Sequence, residues 1–117
     1  MTVYSGALSN NIYTAVPFTQ VSIAYSALTS SYQLIGGALF AAPMVIIVIV
    51  STLNDSVQWS WDGVNAAFPV IADATIIIDL KSDKIVLPAK YGPYVKTLGS
   101  PTSGSLYVGG FIGGVAL

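Results

Sequence analysis

The sequence predicts an all-β fold: a compact antiparallel β-sandwich, jelly-roll or Ig-like, of about seven to nine short strands. Three observations predict it. Apolar and polar residues alternate along several short runs, which is the period of a half-buried strand. Turn-forming Gly, Pro, Asn, Asp and Ser separate those runs at roughly ten-residue intervals. No stretch keeps the i, i+3, i+4, i+7 spacing of an amphipathic helix long enough to make one.

The chain opens with "MTVYSGALSNNIYTAVPF", read as an extended N-terminal arm over 1–18. It has no positive region leading into an apolar one, so no secretory signal is expected. It is also too apolar for a free tail, and Tyr4, Tyr13 and Phe18 are its candidate packing residues. The sandwich domain is placed over 19–117. "QVSIAYSAL" alternates, with Val21, Ile23, Tyr25 and Ala27 on one face. Thr29-Ser30-Ser31 is a turn, and a strand over about 32–41 follows, its Gly36-Gly37 pair reading as a bulge. A strand over 44–53, divided from it at Ala42-Pro43, closes in the loop "LNDS". "VQWSWDG" sets Val57, Trp59 and Trp61 on one side and ends in the turn Asp62-Gly63. "ATIIIDL", "KIVLP", "YVKTL" and "GSLYVGGF" supply the remaining strands, and Lys81-Ser82-Asp83-Lys84 is a polar connection.

One segment competes with this reading. "LIGGALFAAPMVIIVIVSTL", 34–53, has no charge and is as long as a membrane-spanning helix. Its residue types favour strands instead. Two glycines and Pro43 interrupt it, and every residue of "MVIIVIV" after Met44 is β-branched, stiff at χ1 and suited to a pleated sheet. No Lys or Arg precedes Lys81 to mark a cytoplasmic end.

Composition narrows the function classes. Of 117 residues 54% are hydrophobic and only 8% charged, against about a quarter charged in an ordinary domain. All charges lie after position 54, and the net charge is −1, so there is no clustered basic surface for nucleic acid. Without His or Cys the chain has no Ser-His or Cys-His nucleophile pair, no disulfide and no thiolate metal site. Its aspartates sit at turns or beside lysines, and "DLKSDK" lacks the dense oxygen spacing of a calcium loop. No enzyme, metal or cofactor is expected.

A strand with one wet face should alternate, and "MVIIVIV" does not, so both of its faces are expected to be covered. A two-layer domain has no third layer to do this, and large exposed apolar patches mark interfaces. Met44, Val45, Ile46, Ile47, Val48, Ile49 and Val50 are therefore the candidate interface. An outer face of ~500 Å² is worth on the order of 12 kcal/mol before the costs of association. "WSWDG" has a different character. Trp59 and Trp61 beside Asp62 are candidate anchors or ligand residues, because aromatics next to a carboxylate can hold a sugar, although paired tryptophans also serve as core or interface anchors.

The order of "VQWSWDG", "ATIIIDLKSDK" and "IVLPAKYGPYVKTLGSPTSGSLYVGGF" resembles small virion structural proteins of tailed bacteriophages: minor head, cement or connector-region components. In those, a V-x-x-S-x-D-G strand end precedes an apolar strand ending in Asp, an LP-x-G turn, a YVK strand and a TSG-x-x-Y-V strand. The resemblance covers roughly residues 44–111. It rests on Ser60, Asp62, Gly63, Asp79, Leu87, Pro88, Tyr94 to Lys96, Thr102 to Gly104, Tyr107 and Val108. "LPAKYGP" is a longer turn than the family's, and the first 40 residues lie outside the match.

The resemblance implies a non-enzymatic capsid cement, decoration or head-tail protein, assembled in the host cytoplasm and residing in the virion. Its partners would be itself, as a homo-oligomeric trimer or ring, and other virion proteins such as the major capsid protein. Nucleic acid and membrane are not among them. The alternatives are a carbohydrate-binding or host-adhesion module of a virion and a small membrane protein.

Overall fold

Short β-prone runs separated by turn residues pair here into two antiparallel sheets. The computed structural model describes residues 13–40, 44–80 and 90–115, with side-chain surroundings for 17–40, 44–80 and 90–112. Within them lie the strands β1 (Tyr13–Ala24), β2 (Gln33–Leu34), β3 (Met44–Ser51), β4 (Val57–Ser60), β5 (Ala66–Val70), β6 (Thr75–Asp79), β7 (Tyr94–Thr97) and β8 (Ser105–Val115). Sheet I has the order β1-β8-β3-β6 and sheet II the order β2-β7-β4-β5. The chain is an all-β sandwich, as the alternation predicts. Among the described residues no helix is long and apolar enough to cross a membrane.

The core is what the inward faces leave between the sheets. Sheet I contributes Ile47, Ile49, Leu106 and Val108, and sheet II contributes Val57, Trp59, Val70 and Val95, all fully enclosed. An aromatic chain runs through one end of it. Phe18 of β1 meets Phe40 at 5.4 Å, Phe40 meets Tyr91 at 5.2 Å, Tyr91 meets Trp61 at 6.0 Å and Trp61 meets Trp59 at 5.4 Å between ring centroids. Edge-on and tilted rings at such distances add attraction beyond the area they bury. The chain of rings ties sheet I to sheet II, and the Tyr91 hydroxyl accepts the Met44 N–H at 3.0 Å, holding the start of β3.

The opposite end is closed by polar groups. Asn54 Nδ2 donates to Thr102 Oγ1 and its Oδ1 accepts the Thr102 N–H, both at 2.8 Å. The Asp55 carboxylate accepts the N–H groups of Ser56 and Ser100, each at 2.8 Å. These bonds join the β3–β4 loop to the β7–β8 loop.

Four elements differ from expectation. The strand expected over 32–41 shrinks to Gln33–Leu34, followed by a 3₁₀ turn at Ile35–Gly37. Gly36 and Gly37 both have positive φ, +76° and +73°, so the pair reverses the chain and does not bulge a strand. The first strand begins at Tyr13, earlier than the alternation suggests, and yields to a 3₁₀ turn at Tyr25–Ala27. β5 went unrecognised because Pro69 interrupts its pattern, and proline is tolerated there because β5 is the edge of sheet II. Ser60, which alternation puts on the face opposite Trp59, is nonetheless buried, its hydroxyl enclosed by the turn that follows, 2.6 Å from the Asn65 carbonyl and accepting the Gly63 N–H at 3.0 Å. The expected strand at "KIVLP", the polar connection at 81–84 and the division at Ala42-Pro43 lie outside the described residues. β1 runs across the boundary drawn between the arm, 1–18, and the domain, 19–117, and Tyr13 to Phe18 pair with Val115 to Gly110.

Candidate functional site

Strict alternation sorts the most apolar run of the chain between two environments. Ile47, Ile49 and Ser51 of β3 face sheet II and are buried. Met44 is buried too, because a register shift between Met44 and Ile46 brings both Met44 and Ile47 inward. These residues are committed to the chain's own core. Val45, Ile46, Val48 and Val50 are half-buried, so they are the part of the candidate interface that a neighbour can reach.

The ladders build a surface around them. Residues directly opposite in an antiparallel pair point to the same face. Val48 lies between Ile77 of β6 and Gly109 of β8, Ile46 between Asp79 and Phe111, and Val50 between Thr75 and Tyr107. In these three rows Asp79 alone is charged. Ile77 is 68% exposed and Phe111 38%. Gly109 leaves a shallow notch between Tyr107 and Phe111, where an added Cβ would meet nothing within 4 Å. The outer face of sheet I is thus apolar and contiguous across β6, β3 and β8, a concentration rarely left bare on a monomer. Sequence reasoning pointed to the β3 members. It missed Ile77, Tyr107 and Phe111, whose presence beside Val48, Val50 and Ile46 depends on strand order.

Of the arm residues, Phe18 packs half-buried against the core and against Phe40. Tyr13 is described only as the first paired residue of β1, opposite Val115, and Tyr4 lies outside the described residues.

The "WSWDG" group is assembled as a turn. Trp59 is fully buried, stacked on Phe68 at 6.0 Å, and its Nε1 has no hydrogen-bond partner among the described residues. Trp61 is half-buried at the edge of the same cluster. Asp62 turns its carboxylate back on the loop: Oδ1 accepts the N–H of Val64 at 2.9 Å and of Asn65 at 2.8 Å, and Oδ2 accepts Asn65 Nδ2 at 2.6 Å. The buried Ser60 hydroxyl lies 2.6 Å from the Asn65 carbonyl and 3.0 Å from Asp62 Oδ1, and accepts the Gly63 N–H at 3.0 Å. The Asn65 N–H, its side-chain amide and the Val64 N–H, in that order, hold the Asp62 carboxyl far below the usual carboxylate range. The group has the chemistry of a locked hairpin turn, its acceptor capacity largely taken by its own loop.

Other residues carrying the family resemblance are dispersed over turns and strands. Gly63 has φ +79°, as its turn requires, and Gly104 has φ +89° before β8. Leu87 and Pro88 lie outside the described residues. Among the described residues no three His, Cys, Asp or Glu side chains gather as a metal site. Compared with protein-family models, curated proteins and solved structures, the chain matches none of them.

Proposed function

We infer that this chain is a non-enzymatic structural protein that assembles with copies of itself and with neighbouring proteins through the outer face of sheet I. One observation carries the reading: β6, β3 and β8 present Ile77, Ile46, Val48, Val50, Tyr107 and Phe111 on one surface, with Asp79 the single charge in their three rows. Covering such a face is strongly favourable, at about 25 cal/mol per Å² of apolar area removed from water. The residues in the V-x-x-S-x-D-G, YVK and TSG-x-x-Y-V positions extend the reading to a tailed-phage virion, as a capsid cement, decoration or head-tail component. A trimer or ring is the expected assembly, with the major capsid protein as a further partner.

The carbohydrate-binding alternative keeps Trp61, half-buried at the edge of its cluster, as its accessible ring. Trp59 offers no exposed face, and Asp62 is engaged by its own turn.

Sedimentation velocity of the purified chain across micromolar concentrations tests the reading. Reversible or closed oligomers are expected, together with retention on capsids from which a decoration layer is missing. A wholly monomeric chain that binds no particle would overturn it.

A further inference from the structure

The central row across the outer face of sheet I runs Ile77, Val48, Gly109, from β6 through β3 to β8. It is graded in height. Ile77 stands 68% exposed, Val48 is half-buried, and Gly109 has no side chain. Neighbouring strands sit about 4.8 Å to either side of β3, so the knob at Ile77 and the notch at Gly109 are equidistant from Val48.

The chain's own fold does not require glycine at 109. Its φ is not positive, and a Cβ there would meet nothing within 4 Å. Gly110 beside it is different: at φ +141° its Cβ would run into the Ile46 carbonyl oxygen, so the ladder itself demands that glycine. A strand-interior glycine that the ladder does not demand weakens the strand, and such a position suits the close approach of another surface.

We propose that a second copy of this chain packs its sheet I face to face on this one, about a twofold axis running along β3 over Val48, so that Ile77 of each copy enters the Gly109 notch of the other. The proposal rests on the self-association reading above and names the partner surface and its register. A knob and a notch equidistant from one line are what a twofold contact needs, because the same patch must fit itself.

The heights select the axis. Rotation about a line along β3 exchanges the β6 and β8 sides, setting Ile77 over Gly109 and Val48 over Val48. Sheets packed face to face lie about 10 Å apart with their side chains interdigitating. Isoleucine over glycine and valine over valine fill such a gap to similar depth, large against small. A twofold axis across the strands would set Ile77 over Ile77 and Gly109 over Gly109, wedging one side apart and leaving a void at the other. Aligned sheets cross at about 30°, which moves Ile77 by about 2.5 Å along the notch. Tyr107 and Phe111 flank the notch along β8, so that shift keeps Ile77 between their rings. Asp79, at a corner of the face, already has a partner and takes no part in the fit.

Gly109→Val tests the fit without burdening the fold. A β-branched residue suits a strand, and its Cβ meets nothing within 4 Å, so circular dichroism and the urea midpoint should match the parent's or improve. The filled notch should weaken association at least tenfold in sedimentation. Exchanging knob and notch within one chain, Ile77→Ala with Gly109→Ile, should restore it, because the large residue then enters the other copy's gap. Undiminished association of G109V overturns the contact, as does a folded I77A/G109I chain that associates no better than G109V. If Val48→Asp dissociates the oligomer while G109V does not, the register is wrong and the apolar-face reading stands. A monomeric parent chain removes both.

Discussion

Val48 and Ile49 are adjacent in β3 and lie in opposite environments: Ile49 is fully enclosed between the sheets, whereas Val48 stands half-buried on the outer face between Ile77 and Gly109. Substitutions at the two positions should therefore separate folding from assembly. Ile49→Ala removes buried methylenes and should cost about 2–5 kcal/mol of unfolding free energy. Val48→Asp should cost the isolated chain only about 1 kcal/mol, within the range of strand preference, yet abolish association by placing a charge on the apolar face. Urea titration at high dilution reads the first effect and sedimentation the second. A V48D chain that assembles like its parent would remove the outer face from the account.

The second prediction concerns the closed polar end. Gly104, at φ +89°, lies so close to Thr52 that a Cβ would collide with the Thr52 carbonyl oxygen. The clasp beside it is dense: the Thr52 N–H donates to the Ser105 carbonyl, and the Ser105 N–H donates to Thr52 Oγ1, both at 2.9 Å. Gly104→Ala should cost on the order of 1–3 kcal/mol from the backbone strain alone, and more from displacing that carbonyl. In a domain of this size each kcal/mol lowers Tm by roughly 4–8 °C. Gly37→Ala has a similar positive φ, but its Cβ would meet nothing within 4 Å, so it should be the milder change in a thermal melt.

Acid should loosen the molecule through two turns. Backbone N–H bonds, from Asn65 at Asp62 and from Ser100 at Asp55, lower both carboxyl pKa values below those of the unfolded chain. Their contribution to stability is fully present above the unfolded value of about 3.9 and is lost as pH falls toward the folded values. Urea midpoints should thus be flat near neutrality and decline below about pH 4. Asp62→Asn should lower the midpoint at pH 7 and make the acid decline shallower. An unchanged acid slope in D62N would show that the turn does not store this energy.

Trp59 combines a large buried ring with an N–H that finds no acceptor among the described residues. An unsatisfied buried donor costs roughly 1–3 kcal/mol. Trp59→Phe relieves that cost while opening a small cavity, so the two effects should nearly cancel and leave stability within about 1 kcal/mol of the parent. Trp59→Ala, which empties the centre of the aromatic chain, should cost about 3–5 kcal/mol. A large loss in W59F would mean that Nε1 is satisfied in solution.

The sequence by itself determined the class of fold and most of its strands. Alternation in "VQWS", the β-branched run of β3 and the turn residues Asn54, Asp55, Asp62 and Gly63 are local signals, and local sterics and hydrogen bonding act on them in any context. From the same β-branched run the sequence predicts that both faces of β3 are covered. Only the tertiary structure decided the rest. Gly36 and Gly37 are compatible with a bulge or a reversal, and packing of Ile35 into the core selects the reversal. Pro69 hides β5 until sheet order places it at an edge. Ile77, Val48 and Phe111 are far apart in sequence, and nothing local makes them neighbours. Their common surface exists because β6, β3 and β8 pair in that order and register, a choice made by long-range burial of the opposite faces of the same strands.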